Sequence, residues 1–409
     1  MKIFSFYIKK SDINCAVFCK MTVLSRFRRI AYCNLVFYML KYKYSKPQGE
    51  NMKKILFKSI ALVLVIVLCV AFSYASYVVL TYERIEDNLT LEVEGEANFD
   101  AVALGTEYTI VTQNLGFGAY TRDFTFFMDG GTESRAASAD SVRNCIGEGI
   151  DTVSGFDPDF ILFQEIDIDS TRSYHIDQYE LLAEGFPAYS RVRAINYDSA
   201  YLMYPILEPH GASYSSIVTF SRFSIQSSVR RSLPISTSFS KFLDLDRCYS
   251  VSRVLTESGK ELVIYNVHSS AYGGSDEIRT AQMTMLLSDM KAEYDKGNYV
   301  ICGGDFNHDF TGDSTQMLNG GMGTLDFGWA QPFPEELIPE GFSRAISYKD
   351  GETNPTCRDC DVPYEEGNFT IIVDGFIISD NVRVVEVENI VTGFTYSDHN
   401  PVVMKFVLE

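Results

Sequence analysis

Positive charge is scarce over most of this 409-residue chain: past residue 58, 22 Lys and Arg stand against 52 Asp and Glu, a balance of −30. Lys and Arg that neutralise phosphates supply most nonspecific nucleic-acid affinity, so this deficit argues against a protein that grips long DNA by bulk charge. Screening over about 8 Å still lets local basic residues such as Arg191, Arg193, Arg222 and Arg279 line a groove. Cysteine is short of what a metal framework needs. Five cysteines follow the apolar segment, an odd number, and Cys357-Arg-Asp-Cys360 has no second C-x-x-C to complete four zinc ligands. An ordinary loop with reduced or locally bridged cysteines is the expectation there. No repeat, low-complexity tract or internal linker divides the acidic part, which excludes solenoid arrays. Histidine is limited to His175, His210, His268, His308 and His399, so histidine-based chemistry has few candidates.

The N-terminal part differs. Residues 1–58 carry 13 Lys and Arg against 2 Asp and Glu, which makes them a basic cytoplasmic N-terminus on the far side of a membrane from the acidic remainder. Between the two, Ser59–Leu80 has 22 residues and no charge. At about 1.5 Å per residue it spans a hydrocarbon core of about 30 Å. Lys53, Lys54 and Lys58 precede it while Glu83, Glu86 and Asp87 follow, so the positive-inside rule puts residues 81–409 outside the cell. Ser73 and Ala75 are spaced like a signal-peptide cleavage site, which gives a secreted form as the alternative. The apolar run continues past Ala75 through Leu80, which favours an uncleaved anchor. Met52-Lys-Lys-Ile-Leu-Phe-Lys reads as the opening of an anchor or secretory segment, and the expectation is that residues 1–51 are not translated. An intact mass beginning at Met1 contradicts this, and the segment then reads as a basic tail near anionic lipid.

Beyond an acidic stalk at 81–105, short apolar runs end repeatedly in polar or ionisable residues. They are Tyr108–Asn114, Phe160–Glu165, Leu262–His268, Tyr299–Cys302 leading through Gly303-Gly304 to Asp305 and Asn307, Phe369–Asp374, and Thr395–His399. Runs of this kind read as strands covered on both faces, with further strands at 216–221, 248–256 and 382–387. Ser275–Lys296 reads as a helix that stops at Gly297; Ala136–Val153, broken by Gly147 and Gly149, and Tyr179–Gly185 are weaker helices. The pattern predicts a layered α/β sandwich in one domain over 106–409.

The chemistry sits at the strand ends. Asp305 and Asn307, two apart in extended chain, share a face, and a carboxylate beside an amide suits a hydrated divalent cation and a phosphate oxygen. Asp374 lies inside the apolar stretch Ile-Ile-Val-Asp-Gly-Phe, where an unpaired carboxylate is costly, so it requires a cationic or hydrogen-bonding partner, such as a histidine it orients. His399 stands next to Asp398. His175, His210 and His308 lack comparable context.

The ordered set Thr-Gln-Asn (Asn114), Phe-Gln-Glu (Glu165), Asn-Val-His (Asn266, His268), Gly-Gly-Asp-Phe-Asn (Asp305, Asn307), Val-Asp-Gly (Asp374) and Ser-Asp-His-Asn-Pro (Asp398, His399) resembles the endonuclease/exonuclease/phosphatase, or DNase I-like, superfamily over Tyr108–Leu408. Ser221-Arg222-Phe223 resembles a further signature. Gly116 departs from the pattern, because some members carry an acidic metal ligand there, which leaves the number of metals open. The resemblance implies a DNase I-like sandwich of two packed mixed β-sheets flanked by helices, here preceded by one transmembrane helix. It also implies Mg²⁺- or Mn²⁺-dependent phosphoester hydrolysis. In that frame Glu165 and Asp398 hold the metal, and Asn114 and Asn307 hold phosphate oxygens or the attacking water. His399, oriented by Asp374, activates water, and His268 protonates or hydrogen-bonds the leaving group, while Asp305 can position or deprotonate the water instead. Asn266 supports from behind. Arg222 and Tyr197 are candidate substrate contacts. Tyr197, Tyr201, Met203 and Tyr204 form a candidate substrate loop or, equally, aromatics packed at a loop base; no aromatic-rich hairpin for lipid insertion stands out.

The expected substrate is a phospholipid head group, a small phosphoester or nucleic acid. The leading expectation is a membrane-anchored extracellular phosphodiesterase or phosphatase; a secreted DNase-type endonuclease and a non-catalytic surface-binding module on the same fold are the alternatives.

Overall fold

A computed structural model describes residues 49–242, 245–271, 275–319, 331–348 and 352–409. The expectation for residues 1–51 falls almost wholly outside them. The chain divides into two units, Met1–Ala75 and Ser76–Glu409. In the first, the helix Gly49–Thr81 begins; its Met52–Thr81 stretch, 30 residues containing an 18-residue window with a mean hydropathy of 2.9, is long and apolar enough to cross a membrane by length and composition.

The second unit holds two mixed sheets. One runs, neighbour to neighbour, Leu89–Thr90, Ile225–Ser232, Cys248–Thr256, Glu261–His268, Tyr299–Asp305, Asp374–Ser379 and Phe342–Ala345, with Ala101–Val102 pairing alongside Cys248–Thr256. The other runs Val382–Asn389, Val402–Leu408, Glu107–Asn114, Phe160–Asp167, Tyr214–Ser221 and Ser190–Asp198. Each sheet has one parallel pair at its centre, Glu261–His268 with Tyr299–Asp305 and Glu107–Asn114 with Phe160–Asp167. Parallel neighbours end on the same side, so each centre delivers two C-terminal strand ends to one rim.

Alternation along the strands makes the layers. Phe160 and Leu162 join Ile264, Ile301 and Phe376 between the sheets, whereas Ile161 and Phe163 point outward to the helices Ala139–Ser154 and Gln178–Gly185. On the opposite outer face Val300 and Cys302 meet Met283 and Leu287 of the helix Asp276–Tyr294. This period of two is what a strand buried on both faces requires.

Polar side chains also join the two sheets. Gln164 donates to Asn266 Oδ1 at 2.8 Å, and Asn266 donates to the Val218 carbonyl at 2.9 Å, all fully buried. Replacing Asn266 by Leu should destabilise the fold by about 1–3 kcal/mol, because Gln164 loses its shortest bond and keeps only those to Thr112 Oγ1 and the Leu162 carbonyl at 3.2 and 3.3 Å, and urea unfolding should show much of the loss recovered in the Gln164→Leu/Asn266→Leu double variant. Equal loss in single and double variants contradicts this role.

Four expectations need correction. The segment 81–105 is not a free stalk: Leu89–Thr90 pairs with Arg230 and Val229, and Leu91 and Val102 are buried in the core. Phe369–Asp374 is not one strand, because Thr356 Oγ1 accepts the Val373 and Asp374 N–H groups at 2.9 and 3.1 Å, which interrupts the ladder before Asp374–Ser379 begins. Thr395–His399 is a turn that touches Cys357 by one bridge. Gly147 and Gly149 do not break Ala139–Ser154, since Gly149 lets the helix approach Leu115, whose side chain would sit 2.7 Å from an added Cβ.

Candidate active site

Strand register assembles the first half of the site. Asp305 lies opposite His268 on one neighbouring strand and opposite Asp374 on the other. From the second sheet Asn114 ends the strand Glu107–Asn114 and reaches across, donating to Asp305 Oδ2 at 3.1 Å and to Glu165 Oε1 at 3.3 Å. Glu165 sits where the register slips between Phe163 and Ile166, with φ of 57°, a costly conformation for a non-glycine residue that aims the carboxylate off the sheet. Asn307, at φ 47°, bends back so that its N–H and side-chain amide donate to Asp305 at 2.9 and 3.2 Å and to the Ser269 carbonyl at 3.0 Å.

The turn before the last strand supplies the other half. His399 Nδ1 meets Asp374 Oδ2 at 2.8 Å, and its Nε2 is then 3.9 Å from Asp305 Oδ2. Burial alone would push this imidazole down, but the Asp374 carboxylate outweighs it and holds His399 well above its usual value. Asp305, fully buried, is pushed up to about 7 against the pull of His399. His268 is different: burial, aided by Arg247, pushes it well below its usual value, so it is neutral. Its Nε2 lies 3.5 Å from Asp305 Oδ2 and 3.8 Å from Glu165 Oε1, and Asn196 approaches its Nδ1 at 3.4 Å. Donor atoms of Asp305, Asp374 and His399 all fall within 4.8 Å of one another, a grouping by itself able to grip a cation.

Glu165, Asp398, His268, Asp305, Asn307 and His399 face one cavity of about 130 Å³. Burial pushes Asp398 up to about 6, against His399, and the Glu165 charge adds to the rise. Two carboxylates that line the same cavity and feel each other's charge make an all-oxygen donor set suited to a hard divalent cation. Gly116 explains the departure from the family pattern: a Cβ there would stand 2.7 Å from Asp398 Oδ1 and 2.5 Å from the Tyr120 ring, so no acidic side chain fits.

Tyr197, buried at 4%, does line this cavity, whereas Arg222 does not. Arg222 follows Ser221, which pairs with Phe160 at the opposite end of the strand that carries Glu165, and it is tied to Asp157 and the Tyr189 hydroxyl. Arg191, Arg193 and Arg279 pair with Glu94 or Asp276 away from the cavity. The arginines that do line it are Arg172, Arg247 and Arg358. Arg172 is bound by Asp167 at 2.9 and 3.0 Å, and Arg358 by the carbonyls of Thr121, Phe124 and Asp359. Arg247 differs: it is 4% exposed, and its Nε and Nη1 have no hydrogen-bond partner. His210 also reaches the cavity, burial pushing it down to about 4, while His308 is turned onto the Phe306 carbonyl at 2.6 Å. Cys357 and Cys360 are buried free thiols. Asp246-Arg247 ahead of an apolar strand gave no signal of its own, because what singles Arg247 out is a missing partner in three dimensions.

The fold resembles solved structures over about three quarters of the chain. An endonuclease/exonuclease/phosphatase from Beutenbergia cavernae DSM 12333 is 16% identical, with 74% of this chain and 72% of that one covered and a TM-score of 0.52. A protein of the same description from Bacteroides vulgatus is 17% identical over 74% of this chain and 100% of that one, at a TM-score of 0.47. ANGEL2, described as a 2',3'-cyclic phosphatase, is 14% identical over 78% and 99%, at 0.49. Identities this low speak for the fold alone. Comparison with curated proteins finds no match. Residues 111–399 match the model of the Endonuclease/Exonuclease/phosphatase family, well over half of the chain, and the chain belongs to that family.

Proposed function

We propose that this protein is a divalent-metal-dependent phosphoester hydrolase held at a membrane, with its hydrolase domain outside the cell. The observation that carries the reading is the Asp374–His399 pair aimed at Asp305, with His399 and Asp305 lining a cavity that Glu165 and Asp398 also line. All three activities in the family's name break phosphoester bonds.

Glu165 and Asp398 would hold Mg²⁺ or Mn²⁺, which when bound neutralises phosphate charge and steadies the leaving oxygen. His399, kept charged by Asp374, serves better as a donor to a phosphoryl oxygen than as a base. Asp305 then takes the proton of the attacking water, which Asn307 and Asn114 orient by holding the Asp305 carboxylate from two sides. Neutral His268 donates through Nε2 and does not act as a strong acid. Arg247 offers two unpaired donors to a phosphate. Replacing Arg247 by Ala should raise KM about tenfold or more with a smaller change in kcat, since a charge-assisted contact is worth roughly 1.5–3 kcal/mol; an unchanged KM rejects that role.

The membrane reading rests on the apolar stretch Met52–Thr81, whose basic residues Lys53, Lys54 and Lys58 precede the uncharged run. Helix continues past Ala75 to Thr81, which favours an anchor over a cleaved signal. Glu165→Gln and Asp398→Asn should each raise the Mg²⁺ or Mn²⁺ concentration for half-maximal activity by about 100-fold or more, because each removes one of two charged oxygen ligands. Titration calorimetry showing unaltered metal affinity in both variants rejects the assignment.

A further inference from the structure

One surface element is not used by the chemistry above. Between the strands Ser190–Asp198 and Tyr214–Ser221 the chain runs Ser199–Leu207 without a charged residue. Backbone bonds pin its base as a hairpin, Leu202 and Gly211 exchanging N–H donors at 3.0 Å in each direction and Ser199 donating to Ser213 at 2.9 Å. Except for the exposed Glu208 that follows it, the tip is apolar and turned to solvent: Met203 is 53% exposed, Tyr204 67%, Ile206 83% and Leu207 99%. Fully exposed neighbouring Ile and Leu side chains are costly in water unless something covers them.

The covering surface is indicated by two neighbours. Tyr201 N–H donates to the hydroxyl of Tyr77 at 3.2 Å, and Tyr77 and buried Val78 belong to the same compact unit as the hairpin while lying in the last turns of the long apolar helix. The hairpin base therefore stands beside the last turns of that helix, the part that belongs to its own unit. Seven residues link Thr81 to the strand at Leu89, and within them Ile85 is already bonded to Asp246 at 2.7 Å, so the domain has little slack. The flanks of the hairpin, Tyr197 and His210, line the cavity.

Resting on the membrane reading above, we propose that the Met203–Leu207 tip inserts into the outer face of the same bilayer that the helix crosses, so that the cavity opens onto lipid head groups and the substrate is a bilayer-borne phosphoester. Tyr204 at the rim and Ile206 and Leu207 at the tip match the order in which aromatic and aliphatic side chains partition through an interface.

The test uses the full chain in phosphatidylcholine–phosphatidylglycerol vesicles. With Trp329, the only tryptophan, replaced by Phe, Leu207→Trp should fluoresce at shorter wavelength and be quenched when the phosphatidylcholine is brominated at mid-chain. Leu255→Trp, whose neighbour Glu261 begins the strand that ends at His268, should not be quenched. Water-like, unquenched emission from Leu207→Trp, or equal quenching of both, overturns the proposal. In parallel, Ile206→Asp/Leu207→Asp should lower hydrolysis of phosphatidylglycerol in vesicles about tenfold or more, while kcat/KM for a soluble aryl phosphodiester stays within about twofold. Equal effects on both substrates, or none on vesicles, also overturn it. Failure of the parent protein to hydrolyse either substrate refutes the hydrolase reading instead, and the quenching result still decides whether the tip inserts.

Discussion

Asp305→Asn is expected to lower kcat/KM by about 10²–10⁴-fold, the range for removing a positioned general base. The amide keeps the shape and can still bond Asn307 and Asn114, so the fold should stay intact. The pH profile separates a base from a purely structural carboxylate. Burial lifts Asp305 to about 7; as a base it works deprotonated, so kcat/KM should climb as pH rises through that region and level off above it. Asp305→Asn should lose that limb. His399→Ala should cost about as much but through a different route, by removing the charged donor and leaving the buried Asp374 carboxylate beside Asp305 without its histidine partner. If Asp305→Asn retains both its rate and its rising limb while His399→Gln abolishes the limb, the roles are reversed and His399 is the base.

The second large effect is structural. Gly304→Ala should destabilise the fold by more than about 4 kcal/mol or prevent it. Gly304 has φ of +146°, and a Cβ there would stand 2.0 Å from the Val267 carbonyl oxygen in the adjacent parallel strand. The clash is with backbone, at the register position next to the one that sets His268 beside Asp305. No rotamer relieves it. Gly303→Ala, by contrast, meets the side chains of Phe376 and Leu162 at 2.6 and 2.8 Å, which can give way, so its cost should be about 1–3 kcal/mol. Comparable unfolding midpoints for the two variants contradict the argument.

The strand ends were legible because buried central strands read as short apolar runs, and a polar residue closing such a run marks where the sheet meets solvent. Asn114, Glu165, His268 and Asp305 stand at such ends; Glu165, His268 and Asp305 line one cavity with Asp398 and His399, while Asn114 bonds to Asp305 and Asp374 to His399 behind it. Asp374 was legible for a different reason: its apolar context demanded a partner, and His399 is that partner at 2.8 Å. Other features left no periodic trace. Leu89–Thr90 and Ala101–Val102 are strands of two residues inside an acidic segment, too short for alternation to show. Arg222 carried the right motif at the wrong end of the sheet, a matter of strand direction. The residues of Tyr197–Tyr204 parted company, Tyr197 turning into the cavity and Tyr204 out to solvent, because a hairpin base and its tip differ only in three dimensions.

Metal-dependent phosphoester hydrolysis, as proposed, depends on Glu165, Asp398 and the Asp374–His399–Asp305 array. The most direct measurement is turnover of a simple aryl phosphodiester by the full-length protein in detergent, before and after chelation, beside folded His399→Ala. Activity that disappears on chelation, returns with Mg²⁺ or Mn²⁺ and is absent from the variant is the predicted result. Hydrolysis indifferent to chelation, or equal in the variant, contradicts it.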